Sequence, residues 1–167
     1  MLELEVARTI CCFHPPIWVD NTVPLMDVVA QGAYDRVNTL IGNIPFPTRP
    51  PLGQYRIVAQ VLFLKVTPDT PLILGWLERQ KLQAGGAHDL LALAAHVPSR
   101  QLRGHIIALG STWYDSEMEC GYALCLQGTE GRDGIIRREL DLADIDTGFT
   151  EHCGFLVYDE RIRKGGG

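Results

Sequence analysis

Residues 104–160 carry the hydrophobic pattern of short β-strands separated by turns. Residues 105–109 form an apolar run that is too short for a helix and is typical of a buried strand. Residues 119–127 and 135–142 alternate in side-chain character with the two-residue period of an extended chain. The segments between them are rich in glycine and aspartate, the residues that tight turns use. With a last apolar run at 153–158, the pattern predicts an antiparallel meander that has one face toward water.

The first part of the chain adds three strands and one long helix to this prediction. Residues 2–13 alternate between apolar and acidic or polar positions, and residues 17–19 form a short strand after a proline break. Residues 25–41 place apolar side chains at helical spacing, with a proline at the first turn and a glycine just after the end. Residues 54–66 are apolar on both faces, which favours a central strand and leaves a buried helix as the alternative.

Two shorter helices are expected before the meander. The first begins at Thr70, with Pro71 in its first turn, and ends before a pair of glycines. The second covers residues 87–97 and is stopped by Pro98. Because only a short glycine-containing turn separates them, they are predicted to form a helical hairpin. Residues 43–53 contain four prolines and are predicted to be an extended connector.

Together these elements predict an α+β fold. The sheet is mostly antiparallel and combines the C-terminal meander with the N-terminal and central strands; the long helix and the helical hairpin cover one of its faces. A chain of 167 residues is long enough to bury a core without disulfides. We therefore expect one domain over residues 1–164 and a flexible glycine tail at 165–167.

Composition and charge limit which partners and which cellular compartment we expect. A formal net charge of −5 makes nucleic acid an unlikely partner, because a phosphate backbone is bound by a basic surface. The chain starts with an acidic, alternating segment rather than a secretory signal, and it has no apolar run of membrane-spanning length. Five cysteines in such a chain are expected to be reduced thiols, so a cytoplasmic protein without a membrane partner is predicted.

Cysteine and histidine residues at the ends of the predicted sheet are the candidates for a metal site. Zinc takes four nitrogen or sulfur ligands in a tetrahedron. Cys12 and His14, joined by His152 or Cys153, would supply such ligands from separate segments. The chain has no CxxC pair, and a free cysteine usually behaves as a small buried apolar side chain. The favoured interpretation is therefore that no cofactor binds, with Zn at this site as the alternative.

Carboxylates near the meander are the candidates for catalysis. Asp115 and Glu117 alternate along one segment, and Asp144 and Asp146 follow a later strand, with His152 close by in the sequence. If these groups met across the sheet, their oxygens would hold Mg²⁺ and support hydrolysis. The alternative is that they are solvated residues at hairpin tips, which keep the sheet edges unpaired.

A thiol nucleophile is a further possibility. Cys12 or Cys125 would be activated if His105 or His152 came within reach from another strand. Cys153 and His152 are neighbours in a predicted strand, so their side chains face apart and do not form a pair with each other. The sequence contains no GxSxG, HExxH, P-loop or GxGxxG motif.

Three aromatic residues are candidates for binding: Trp18 follows two prolines, and Trp113 and Tyr114 lie among polar residues at a predicted hairpin. Aromatic side chains in such places are typical interface anchors. The sequence therefore predicts a non-catalytic binding or assembly subunit that acts through protein–protein contacts, either with a protein partner or as a homo-oligomer. The alternative is a metal-dependent hydrolase or nuclease that uses the carboxylates of the C-terminal meander, so whether the chain is an enzyme stays open.

The end of the chain resembles that of a ubiquitin-like modifier. A predicted strand leads into the basic segment Arg161-Ile162-Arg163-Lys164 and then into three glycines, and the chain begins with elements in the order strand, strand, helix, strand. This resemblance implies conjugation or recognition through the glycine tail. The proline-rich connector and the two shorter helices depart from the pattern of that family.

Overall fold

The computed structural model describes residues 4–11, 16–48, 50, 52–66, 68–98 and 104–163. These residues form an α+β fold with a mixed, mostly antiparallel sheet of nine strands and with three α-helices, which confirms the predicted class. The elements are β1 (Val6–Cys11), β2 (Ile17–Asp20), α1 (Leu25–Gln31), β3 (Arg36–Val37), a 3₁₀ turn (Thr39–Asn43), β4 (Gln54–Leu64), α2 (Thr70–Arg79), β5 (Gln83–Ala84), α3 (Ala87–His96), β6 (His105–Asp115), β7 (Cys120–Glu130), β8 (Ile136–Asp144) and β9 (Cys153–Arg163). No helix among the described residues is long and apolar enough to cross a bilayer.

The strands lie in the order β1-β4-β9-β6-β7-β8-β3. β1 and β2 pair with successive parts of one edge of β4, and β9 pairs with the other edge. β4 is therefore paired on both sides, which confirms the predicted central strand. β6, β7 and β8 form the predicted meander. β9 does not continue it, because it returns to the middle of the sheet and runs parallel to β6.

The first face of the sheet is covered by α1 and α3. Alternate strand residues such as Ile57, Leu124 and Leu156 pack there with Leu90 of α3 and Val29 of α1. All five side chains are at least 95% buried, so this layer removes a large apolar area from water, the main favourable term in folding.

The second face is covered by α2. Leu62, Phe155 and Val157 point to this side and pack with Ile73 and Leu77 of the helix. The prediction that a single face of the sheet is covered is not confirmed, and α2 and α3 lie on opposite faces instead of forming a hairpin. The apolar stripe of a helix predicts that it is buried but does not specify on which face of a two-sided sheet.

The long helix predicted over residues 25–41 is also not confirmed. After the seven residues of α1, Ala33 has a left-handed φ of +48°, which ends the helical path. The chain then forms β3, and the side chain of Asn38 caps the 3₁₀ turn. Val37 and Ile41 still reach the core, so the apolar positions are satisfied by a strand and a turn in place of a helix.

The segment before α3 joins β6 to β9 where the two strands separate. Gly85 donates its N–H to the Leu156 oxygen at 2.7 Å and accepts from the Gly110 N–H at 2.8 Å. β6 is bulged between Ala108 and Thr112 at this point. A Cβ on Gly110 would lie 2.6 Å from the Gly85 oxygen, so this close approach of two backbones requires glycine.

A buried charged network fixes α3 to the sheet. Asp89, which is fully buried, accepts hydrogen bonds from the Tyr55 hydroxyl at 2.7 Å and the Gly86 N–H at 2.8 Å. Arg161 lies 3.4 Å from the same carboxylate and donates from Nε to the Tyr158 hydroxyl at 2.9 Å. Burial and the Asp89 charge raise the pKa of Tyr55, which keeps its hydroxyl a donor.

Candidate functional site

The structure separates the predicted carboxylates from His152. Asp115 lies opposite Cys120 at the end of the β6–β7 hairpin. Asp144, on β8, lies opposite Tyr122 of β7, so both aspartates are at the same end of the sheet. His152 precedes β9 and lies beside the start of β6. The 11-residue strand β6 spans about 30 Å, so His152 is too far away to act with Asp115.

Cys120, Asp144 and Asp146 come together at the hairpin end of the sheet. The thiol and one oxygen of each carboxylate lie within 4.8 Å of one another. A thiolate and two carboxylates suit Zn²⁺ better than Mg²⁺, because magnesium prefers oxygen ligands alone. Sequence reasoning placed the two aspartates but did not connect Cys120 with them, since that contact depends on the β7–β8 register.

Backbone donors already hold these carboxylates. The Gly121 N–H donates to Asp146 at 2.6 Å, and the Asp146 N–H donates to Asp144 at 2.8 Å. This hydrogen bond from Asp146 lowers the pKa of Asp144. Desolvation and the two nearby carboxylates raise the pKa of the Cys120 thiol. Without a cation the thiol therefore stays protonated, and the cluster has the chemistry of a turn whose carboxylates satisfy backbone N–H groups.

Of the four predicted zinc ligands, Cys12 and His14 lie outside the described residues. His152 is exposed and lies 3.7 Å from the Glu151 carboxylate, whereas Cys153 is 7% exposed and points into the α2 layer. The two neighbours thus face apart, as a strand requires.

A thiol–imidazole pair lies at the other end of the sheet. His105 and Cys153 are direct partners on the parallel strands β6 and β9, so their side chains share a face. Burial raises the pKa of Cys153, but the nearby His105 imidazole and hydrogen bonds from Thr150 outweigh it, and the net direction is downward. The Cys153 sulfur in turn raises the pKa of His105. Both shifts favour the charged form of each group.

Local backbone geometry brings this pair together. The His105 N–H donates to the His152 oxygen at 3.2 Å, and the Cys153 N–H donates to the Thr150 oxygen at 3.0 Å. Gly104 has φ +101°, and a Cβ there would lie 2.7 Å from the His152 oxygen. Only glycine accepts both conditions, so it allows the start of β6 to approach the turn before β9.

Polar groups continue from the pair across the same face. Gln127 donates to Glu139 at 3.1 Å and to Asp141 at 3.0 Å, and Asn38 donates to Asp141 at 2.7 Å. The Asp141 charge contributes to the raised pKa of His105. Sequence reasoning considered His105 as a base for other thiols and missed Cys153, because the predicted antiparallel order did not place β9 beside β6.

Trp18 lines two adjoining depressions at the edge of the sheet. One, of about 430 Å³, is formed with Arg56 and the α3 residues Ala92, Ala95 and His96. The other, of about 240 Å³, extends between β2, α1 and α3. Trp18 is 49% exposed, and the Arg56 guanidinium lies 5.1 Å from its ring centre. We call this region the Trp18 surface.

The other two predicted aromatics lie at the β6–β7 hairpin. Trp113 stacks on Tyr122 with ring centres 6.4 Å apart, so part of its face is used within the protein. Tyr114 is 60% exposed, and Met118 at the same hairpin is 68% exposed. This hairpin therefore presents apolar groups at some distance from the Trp18 surface.

Comparison of the chain with protein-family models, with curated proteins and with solved structures gave no match.

Proposed function

We propose that the chain is a non-catalytic assembly subunit that pairs with a second copy of itself through the Trp18 surface. The observation that carries this proposal is that one patch presents both a half-exposed tryptophan and, beside it, depressions lined by the small residues Ala92 and Ala95. A two-fold interface uses the same patch on both copies, so it needs a protruding group and its receptor side by side.

Charge on the same patch agrees with two-fold pairing. Arg56 lines one depression and Asp20 lines the other, so a two-fold rotation can bring opposite charges together. A central aromatic anchor in a pocket is also the usual energetic centre of an interface. We further propose a cytoplasmic setting, because Cys120, Cys125 and Cys153 are free thiols and such thiols persist in a reducing compartment.

Light scattering after size exclusion tests this proposal. We expect the wild-type chain to be a dimer, and Trp18→Ala and Ala95→Glu to be folded monomers, because both positions are exposed. Tyr114→Ala removes an aromatic of similar exposure elsewhere and should stay dimeric. A wild-type monomer at all accessible concentrations, or a dimer that survives Trp18→Ala, would refute the pairing.

A second candidate function is metal-dependent hydrolysis at Cys120, Asp144 and Asp146, supported by the 4.8 Å grouping of their ligand atoms. Zn²⁺ would draw the thiolate and the carboxylates together and supply a Lewis acid. We expect Zn²⁺ to raise the melting temperature of the wild type but not of Asp144→Asn or Cys120→Ser. Asp115→Asn, at the same end of the sheet, should respond like the wild type. If the wild type shows no shift with Zn²⁺, Mn²⁺ or Mg²⁺, this function is excluded.

A further inference from the structure

The guanidinium of Arg56 on β4 has no hydrogen-bond acceptor within the described part of the chain. Its Nε is buried without a hydrogen-bond partner, and neither terminal nitrogen takes part in a hydrogen bond or an ion pair with a described residue. The ring of Trp18 lies 5.1 Å from the group, which is a cation–π contact rather than a hydrogen bond. A buried donor that is left unpaired lowers stability, so this group calls for an acceptor from outside the described residues.

Arg138 on β8 shows how a structural arginine differs. Its Nε is also buried without a partner, but its terminal nitrogens donate to the backbone oxygens of Gly32 at 3.0 Å and Ala94 at 3.1 Å. These bonds join the C-terminal ends of α1 and α3 to β8, so the fold itself accounts for Arg138. Among the described residues, no such bond accounts for Arg56.

Arg56 lines the larger depression of the Trp18 surface, which has a volume of about 430 Å³. Small-molecule sites typically measure about 300–1,000 Å³ and combine apolar walls with a few polar groups. The apolar wall of this cavity comes from β2, the residue before it, and α3: Pro16, Ile17, Trp18, Ala92 and Ala95. Arg56 and His96 supply the polar groups.

The charge of this cavity favours an anion. None of the described residues that line it is acidic, since Asp20 lines the adjoining depression instead. A planar guanidinium binds a carboxylate through two parallel hydrogen bonds. One guanidinium also matches the single charge of a carboxylate, whereas a phosphate monoester carries nearly two charges and needs more donors.

We propose that this cavity binds a small carboxylate that carries an apolar or aromatic body. Arg56 holds the carboxylate, and the body packs against Trp18, Ala92 and Ala95 in place of water. The site is formed by one chain, so it does not depend on the proposed pairing. Because the cavity belongs to the Trp18 surface, a bound ligand also competes with the second copy, and this competition rests on the proposed function.

An NMR titration of the labelled protein with phenylacetate tests the site. We expect the Trp18 indole N–H and the Ala92 and Ala95 amides to shift with a dissociation constant of about 1 mM or lower. Phenylacetamide has the same shape without the charge and should bind at least about tenfold more weakly. No shift of these signals at about 10 mM phenylacetate, or equal affinity for the two probes, would overturn the proposal.

Arg56→Gln separates recognition of the charge from packing in the cavity. We expect its affinity for phenylacetate to fall at least about tenfold, to the level of phenylacetamide. Arg8→Gln is the matched control and should bind as the wild type does, because Arg8 also lies over an aromatic ring, 4.3 Å from that of Phe63, but lines a different cavity. Unchanged binding of phenylacetate by Arg56→Gln contradicts the proposal.

Arg56→Met checks the fold independently. It keeps the apolar stem and removes the unpaired donor, so it should melt at the wild-type temperature or above while it loses the preference for phenylacetate. A folded Arg56→Met that keeps this preference also contradicts the proposal. If neither variant at Arg56 folds, the comparison of the two probes on the wild type decides.

Light scattering with each probe distinguishes this site from the pairing. We expect the wild-type dimer to dissociate in phenylacetate and to persist in phenylacetamide. A wild-type monomer that binds phenylacetate through Arg56 would refute the pairing and confirm the site. A dimer that shows no preference for phenylacetate would refute the site and leave the pairing, and a dimer that persists with phenylacetate bound would overturn the competition.

Discussion

At the scale of single residues, two ion pairs show how burial determines the contribution of a charge to stability. Arg161 and Asp89 have side chains that are 9% and 1% exposed, and each also hydrogen-bonds to a tyrosine. Asp133 and Arg137 lie closer, at 2.7 Å, but both side chains are 44% exposed. Water screens the second pair, and removal of one partner from the first leaves a buried charge without compensation.

Asp89→Asn should therefore destabilise the fold strongly. We expect the free energy of unfolding to fall by about 3 kcal/mol, because the Arg161 guanidinium loses its counter-charge and the Gly86 N–H faces an amide. Urea denaturation followed by circular dichroism measures this change. Asp133→Asn is the matched control and should change the unfolding free energy little. Equal effects of the two substitutions would show that the Asp89 charge has no special structural role.

At the scale of elements, the sequence predicted where the strands lie along the chain better than it predicted which strands pair with each other. The alternation of β7 and β8 and the apolar runs of β4 and β6 are local features, which a sequence displays directly. The place of β9 depends on a long-range pairing: its 11 residues pair with β4 on one side and with β6 and β5 on the other. Two strands of similar pattern compete equally for such a position, so local periodicity does not decide between them.

The prediction of one long helix over residues 25–41 failed for a related reason, whereas the two shorter helices formed as α2 and α3. Apolar residues recur here at the spacing expected of a helix: Leu25, Val29, Val37 and Ile41. The same residues reach the core although the left-handed Ala33 interrupts the helical path and Asn38 starts a new turn. Tertiary pairing of β3 with β8 outweighed helix propensity here.

The candidate sites differ in the same way, because one depends on residues near each other in the sequence and the other depends on long-range strand pairing. The Cys120 cluster joins residues of one hairpin and the turn after it, so the sequence placed two of its three members. The pair formed by His105 and Cys153 depends on the parallel contact of β6 with β9 and could not be inferred from spacing. Exposure of Trp18 was left open by the sequence, because a tryptophan fits a core and a surface equally well.

At the scale of the whole molecule, the sheet belongs to both apolar layers at once. Neighbouring residues of β4, β6 and β9 point alternately to the α3 side and the α2 side, as Ile106 and Ile107 do. A disturbance of one layer therefore loosens strands that also support the other. This arrangement favours unfolding in one cooperative step, which is what the expected single domain over residues 1–164 requires.

Leu90→Ala tests this coupling. Leu90 is completely buried in α3, and its truncation should lower the free energy of unfolding by about 3 kcal/mol through lost transfer energy and a residual cavity. Hydrogen exchange measures the effect on the opposite face. The slowest amides of α2, near Ile73, should exchange about a hundredfold faster than in the wild type, the same acceleration as in α3. Leu52→Ala, at a position 68% exposed, should leave both helices unchanged. Acceleration confined to α1 and α3 would mean that the two layers open independently and that the sheet does not unite them into one folding unit.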